Sequence, residues 1–206
     1  MNKKVITKKY RSILRMGLNR KNREKLENKD FTILSSNCVG GVILHELGQR
    51  FDTPTINLYF SAGDYLKFIG NLKHYLNCKL TETDSSYAYP LGKLEDLTLH
   101  LVHYKDFAEA EQKWEERKKR IHFDNLYVIM VDRDGCTYKD IIEFDSLPYE
   151  HKAFLTYKKR PEIKSAVCIP GSEEENHILD ICKYKSKWTG RRWLDDFDYV
   201  AFLNTK

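Results

Sequence analysis

This sequence predicts an α/β fold, Rossmann-like in the broad sense, with a mainly parallel sheet flanked by helices. Three observations lead there. β-rich apolar runs alternate with amphipathic stretches along the chain. One run, Leu126-Tyr127-Val128-Ile129-Met130-Val131, is nearly all apolar, as a strand covered on both faces must be. Polar turns containing glycine follow the runs directly, where open α/β sheets bind their ligands. A chain of 206 residues suffices for one good-sized core and is short for two.

The elements follow in order. Ile6, Tyr10, Ile13, Leu14 and Gly17 share one side at helical spacing, so residues 5–27 read as an amphipathic helix with a basic outer face. This gives a basic N-terminal helix within 1–29 and a single α/β domain over 30–206. Asp30 to Ser36 reads as the first strand. Asn37-Cys38-Val39-Gly40-Gly41 makes a tight turn into a short helix from Val42 to Arg50. Pro54 opens a strand from Thr55 to Phe60. Ser61 or Asp64 caps a helix whose stripe is Tyr65, Phe68, Ile69, Leu72 and Leu76. Residues 79–93 form the longest loop. A third strand spans Leu97 to Tyr104. Asp106 then caps a helix to Arg120, with Phe107, Ala110 and Trp114 inside and charge pairs at i, i+4 outside. After the apolar strand to Val131, Asp132-Arg133-Asp134-Gly135 turns into a helix near Tyr138 to Phe144. Strands are expected at Ala153–Tyr157, Ser165–Ile169 and Tyr199–Leu203. Helix signals weaken in the final third, which leaves antiparallel edge strands open there.

Composition narrows the function. The net charge of +5 is concentrated between Lys3 and Lys29. Such an arm suits an anionic surface, and the expected partner is an anionic membrane met peripherally through residues 3–29. Nucleic acid is not expected, because the basic residues lack interleaved aromatics for base stacking. No apolar run approaches the ~18 residues of a membrane span, and no secretory pattern opens the chain. The expectation is a cytoplasmic protein, peripheral at the inner face of the membrane. The five cysteines, Cys38, Cys78, Cys136, Cys168 and Cys182, are odd in number and widely spread, which argues for reduced thiols. No Cys-x-x-Cys or His-x-x-x-His pair gives a zinc signature, and no motif names a cofactor.

Candidate site residues gather at the predicted strand ends. Cys38 stands at a helix N-terminus, where the dipole favours a thiolate. Gly40 and Gly41 let backbone N–H groups approach a phosphate or an oxyanion. With His103 as base and Asp132 as its orienter, Cys38 would serve acyl transfer. Ser36, Asn37, Tyr104, Arg133 and Asp134 complete the expected ligand-binding set. In a competing reading, Asp132 and Asp134 hold a divalent metal on the diphosphate of a nucleotide sugar. Both motifs also have plain structural explanations: a buried small thiol, and an Asp-Gly turn. His100 differs from His103 in strand parity and reads as a core histidine.

Ser36-Asn37-Cys38-Val39-Gly40-Gly41, with Asp52-Thr53-Pro54-Thr55-Ile56-Asn57-Leu58, resembles a bacterial domain family of unknown function associated with exopolysaccharide or capsule biosynthesis. The likeness continues through Tyr65 to Leu76, Tyr89-Pro90, His100 to Tyr104, Glu109-Ala110 with Lys113-Trp114, and Asp132-Arg133-Asp134-Gly135-Cys136. It covers most of residues 30–160 and leaves out the basic helix. The resemblance implies a setting in surface polysaccharide assembly and no catalytic residues. Its expected ligand is a polysaccharide or a lipid-linked saccharide precursor. The expected function is a transferase, with acyl transfer through Cys38 ahead of sugar transfer through Asp132 and Asp134. A non-catalytic assembly adaptor is the third alternative.

Overall fold

The computed structural model describes residues 3–205, with side chains from Thr7 onward. The elements are helix α1 (Lys3–Lys25), strand β1 (Thr32–Ser35), α2 (Val39–Leu47), β2 (Tyr59–Phe60), α3 (Ala62–Gly70), α4 (Leu72–Asn77), β3 (Thr81–Thr83), β4 (Leu91–Leu94) and β5 (Leu97–His100). They continue with α5 (Phe107–Lys118), β6 (Leu126–Val131), α6 (Tyr138–Ser146), β7 (His151–Thr156), β8 (Ala166–Cys168), β9 (Glu173–Glu174), β10 (His177–Ile178), a 3-10 turn (Trp193–Asp196) and α7 (Tyr199–Leu203).

A four-stranded parallel sheet in the order β1-β6-β7-β8 forms the centre. Alternation along β6 shows why its sequence is apolar throughout. Tyr127, Ile129 and Val131 face a core closed by α2, α7 and the C-terminal segment. Val128 and Met130 face a second core shared with α3, α5, α6 and the antiparallel sheet. Both sides of the strand are therefore dry. Trp114, from the inner face of α5, is buried in the second core against Phe68, with ring centroids 6.0 Å apart. Side-chain caps start several helices as expected, with Ser61 accepting from the Asp64 N–H and Asp106 from the Glu109 N–H.

The arrangement is thus mixed α/β with a helix-flanked parallel sheet, and four expectations change in detail. Leu97–His100 does not join the parallel sheet. It pairs antiparallel with β2 and β4 in a second sheet ordered β2-β5-β4-β3. The loop expected over 79–93 supplies two strands of that sheet, β3 and β4. Only Tyr59–Phe60 of the expected Thr55–Phe60 strand pairs. Upstream of it, the Thr55 hydroxyl accepts from the Ser35 N–H and so covers the edge of β1. Tyr199–Leu203 is a helix capped by Asp198, its buried residues Tyr199, Val200 and Leu203 falling at helical spacing. A short apolar run fits a strand or a helix equally well, and the Asp198 cap decides it.

Helix α1 docks by its polar side. Arg15, 5 % exposed, reaches Glu46 on α2 and Asp195 in the 3-10 turn. Its Nε donates to Glu46 Oε1 at 2.9 Å and its Nη1 to Asp195 at 2.6 Å. Arg192 donates to Glu46 Oε1 at 2.8 Å. Asn22 donates to the Tyr199 hydroxyl, and the Asn204 side chain accepts from the Glu27 and Asn28 N–H groups. The expected apolar stripe points the other way, with Tyr10, Ile13 and Leu14 exposed, while Ile6 lies outside the described side chains.

Glu46→Ala would remove the carboxylate shared by the buried Arg15 and the partly buried Arg192. Removing one partner from a buried charge cluster costs about 3–5 kcal/mol, and urea unfolding should show a loss of that size. A loss below about 1 kcal/mol would mean that solvent compensates the arginines.

Candidate functional site

A crevice of about 530 Å³ opens beyond the carboxyl ends of β1 and β6. Asn37 and Cys38 enter it from the end of β1, and Arg133 and Asp134 from the end of β6. Tyr59 comes from β2, His103 from the turn after β5, and Asp180, Cys182 and Lys183 from the segment after β10. Cys38 and His103 also line an adjoining depression with Gly41, His45 and Glu46.

Local chemistry explains the placement. Asn37 turns the chain from strand to helix, its Oδ1 accepting from the Val39 N–H at 3.2 Å. Its amide donates to Asp134 Oδ2 at 3.4 Å, joining the two strand ends. Asp134 sits in the left-handed region, φ 57°, ahead of Gly135 at φ 83°. Aspartate tolerates this conformation better than most residues, and the bend aims its carboxylate into the crevice. The Asp134 carbonyl accepts from the Ala62 N–H, so α3 holds the turn in place. The Ser36 carbonyl accepts from the Phe60 N–H and ties the antiparallel sheet to the end of β1.

The structure brings Asn37, Cys38, His103, Arg133 and Asp134 together. It places the other sequence-selected residues differently. Ser36 is buried, its hydroxyl accepting from the Val131 N–H. Tyr104 is buried and structural, its hydroxyl donating to the Ile56 carbonyl and accepting from Arg117. Gly40 is needed for packing, since a Cβ there would come within 2.8 Å of Ser35 Cβ. Gly41 lines the adjoining depression. Asp132 does not orient His103: its carboxylate accepts from the Thr156 hydroxyl at 2.6 Å and faces Arg160 at 3.5 Å. Buried in that pair, it does not join Asp134 in the crevice, so the two carboxylates do not form the expected metal pair.

Cys38 behaves opposite to the helix-dipole expectation. Burial, then the nearby carboxylates of Asp180 and Asp134, push its thiol up to about 11. The thiol donates weakly to the Leu58 carbonyl at 3.9 Å. A dipole contributes about 0.3–1 kcal/mol, too little to offset lost hydration and two adjacent negative charges. Cys182 is likewise pushed up to about 12, chiefly by burial. All five thiols are free.

Residues that sequence reasoning missed enter from distant segments. Tyr59 stacks on His100 with centroids 4.2 Å apart, and its hydroxyl lies 3.3 Å from that of Tyr89. Tyr87 and Tyr89 stack in turn, so the tyrosine-rich loop folds against one wall of the crevice. His100 is therefore part of an aromatic cluster and only partly buried, and burial lowers its pKa. Asp180, Cys182 and Lys183 carry no spacing signal, because a loop delivers them across the open end of the sheet.

With the thiol at about 11, only about one Cys38 in ten thousand is ionised at pH 7. Alkylation of folded protein, followed by peptide mass spectrometry, should be slow at pH 7. It should then quicken about tenfold per pH unit up to pH 10. Fast labelling at pH 7 that levels off below pH 8 would restore Cys38 as a thiolate nucleophile.

Residues 9–204 match a family described as "Domain of unknown function (DUF1919)", a range that takes in most of α1 as well as the sheet. An uncharacterized protein of Haemophilus influenzae is 44% identical over 190 residues, covering 92% of each chain. A match over nearly the whole chain, joined to a relative this similar, establishes that the protein belongs to the DUF1919 family.

Proposed function

We propose that this chain is a transferase acting on a saccharide of a bacterial surface polymer or on its lipid-linked precursor, and that the group transferred is a sugar. The observation that carries this reading is Asp134, bent into the crevice at φ 57° and bonded to Asn37, beside Asp180 and a protonated Cys38. Two carboxylates and an amide suit the hydroxyls of a sugar, and the Tyr59 wall suits its apolar face. Arg133 and Lys183 in the same crevice suit the phosphate of an activated donor. Asp134 would take the proton from the attacking acceptor hydroxyl as the bond to the donor phosphate breaks. The surface-polymer setting rests on the sequence resemblance alone. Acyl transfer through Cys38 ranks second, because the thiol lacks an oriented imidazole and is held protonated.

Helix α1 gives the reaction a place. No described helix is long and apolar enough to cross a membrane. The side of α1 turned away from Arg15 carries the exposed Tyr10 and Ile13, flanked by the exposed Leu14 and Met16, with Lys9, Arg20 and Lys21 nearby. Apolar anchors among cations match an anionic bilayer surface, where lipid-linked precursors reside. Two copies of so basic a helix would repel each other.

Asp134→Asn tests the chemistry, because asparagine also tolerates a positive φ and should fold normally. Turnover with a nucleotide-sugar donor should fall about 10²- to 10⁴-fold, while Cys38→Ser keeps activity within a few fold. Full activity in Asp134→Asn, or no thermal shift with any nucleotide sugar screened, would remove the sugar-transfer reading.

Vesicle co-sedimentation tests the membrane contact. Full-length protein should bind vesicles containing anionic lipid, lose binding as salt rises, and bind poorly as Ile13→Glu. Equal partition onto neutral and anionic vesicles would end the proposal. So would a stable dimer in solution that Ile13→Glu dissociates.

A further inference from the structure

Three metal-binding side chains converge outside the crevice, on the lobe built around the antiparallel sheet. His74 and Cys78 stand four residues apart at the end of α4, so one helical turn puts both on the same face. Glu95 meets them from the two-residue turn joining β4 to β5. The donor atoms His74 Nε2, Cys78 Sγ and a Glu95 carboxylate oxygen all lie within 4.8 Å of one another. His74 Nε2 is 2.8 Å from Glu95 Oε2 and 3.8 Å from Cys78 Sγ.

The backbone holds this cluster from both sides. Asp96, next to Glu95, accepts from the Tyr75 hydroxyl at 2.9 Å and from Lys67 at 2.7 Å. Tyr75 neighbours His74 on α4, so the pairing that pins the turn also sets Glu95 against His74. Cys78 closes α4, its N–H donating back to the His74 and Tyr75 carbonyls. These contacts fix the spacing of the three donors without using their ligating atoms.

We propose that His74, Cys78 and Glu95 bind one divalent transition metal of the zinc class. One imidazole nitrogen, one sulfur and one carboxylate oxygen form the mixed donor set that zinc accepts, and magnesium or calcium would prefer oxygen alone. Zinc bonds of ~2.0–2.3 Å set tetrahedral ligand separations of roughly 3.3–3.8 Å. The histidine–cysteine separation already falls in that range, and the histidine–glutamate pair opens by about 0.5 Å to admit the ion. Three protein ligands leave a fourth position for water or an external ligand. Binding replaces the thiol proton of Cys78, which passes to solvent. The metal would clip α4 to the β4–β5 turn, in the sheet whose far edge, β2, carries Tyr59 to the crevice.

Cobalt(II) is the probe, titrated into reduced, chelator-free full-length protein. One equivalent should bind with a thiolate-to-cobalt absorption band, and added zinc should bleach it. Cys78→Ser should abolish the band. His74→Ala and Glu95→Gln should each weaken cobalt binding at least tenfold, and Cys168→Ser should leave it unchanged. Circular dichroism accompanies each variant, since these side chains lie at or near the surface and their loss should spare the fold. No band in the wild type, or a band that survives Cys78→Ser in folded protein, overturns the site.

Discussion

The buried carboxylate of Glu46 is the interaction on which the rest depends. It belongs to α2, with Arg15 of α1 on one side and Arg192 of the C-terminal segment on the other, while Asp195 pairs with the same Arg15 guanidinium and accepts from the Arg192 N–H. No member of the cluster can be withdrawn without leaving charge in a dry environment. Segments from the two ends of the chain are thereby held against the same helix. The Arg192 guanidinium also donates to the Cys182 carbonyl, so the cluster reaches the loop that walls the crevice.

The same packing governs the chemistry of the crevice. A cysteine at a helix N-terminus is ordinarily read as activated, but the dipole is a weak and local field. Closing the crevice with residues 179–183 removes water from Cys38 and brings the Asp180 carboxylate near it. Both effects favour the thiol. The carboxylate of Asp134 reaches the same crevice from a left-handed turn that α3 anchors through the Ala62 N–H, and it faces Arg133 at 3.5 Å.

The antiparallel sheet contributes reach. Moving Leu97–His100 out of the parallel sheet did not remove His103 from the crevice, because the turn after β5 is tied to the segment before β2, the His103 N–H donating to the Asn57 carbonyl. It also brought Tyr59 and the tyrosine-rich loop to the site's wall. A polar loop of that composition has no periodic signal of its own. Its two strands exist because Thr81–Thr83 and Leu91–Leu94 find partners in β4 and β5.

By itself the sequence determined what short-range physics determines. The doubly buried strand at Leu126–Val131, the caps at Ser61 and Asp106, the inward Trp114 and the polar turns at Asn37-Cys38 and at Asp134-Gly135 were all legible. Each depends on alternation, a cap or a turn within a few residues. Tertiary structure decided the remainder. It made Tyr199–Leu203 a helix, turned the apolar stripe of α1 outward, gave Asp132 to Thr156 and Arg160, and set Glu95 against His74 and Cys78. These outcomes depend on which distant segment supplies a charge, a hydroxyl or a dry surface. Residue spacing carries no record of that, because burial and partner choice are properties of the folded chain.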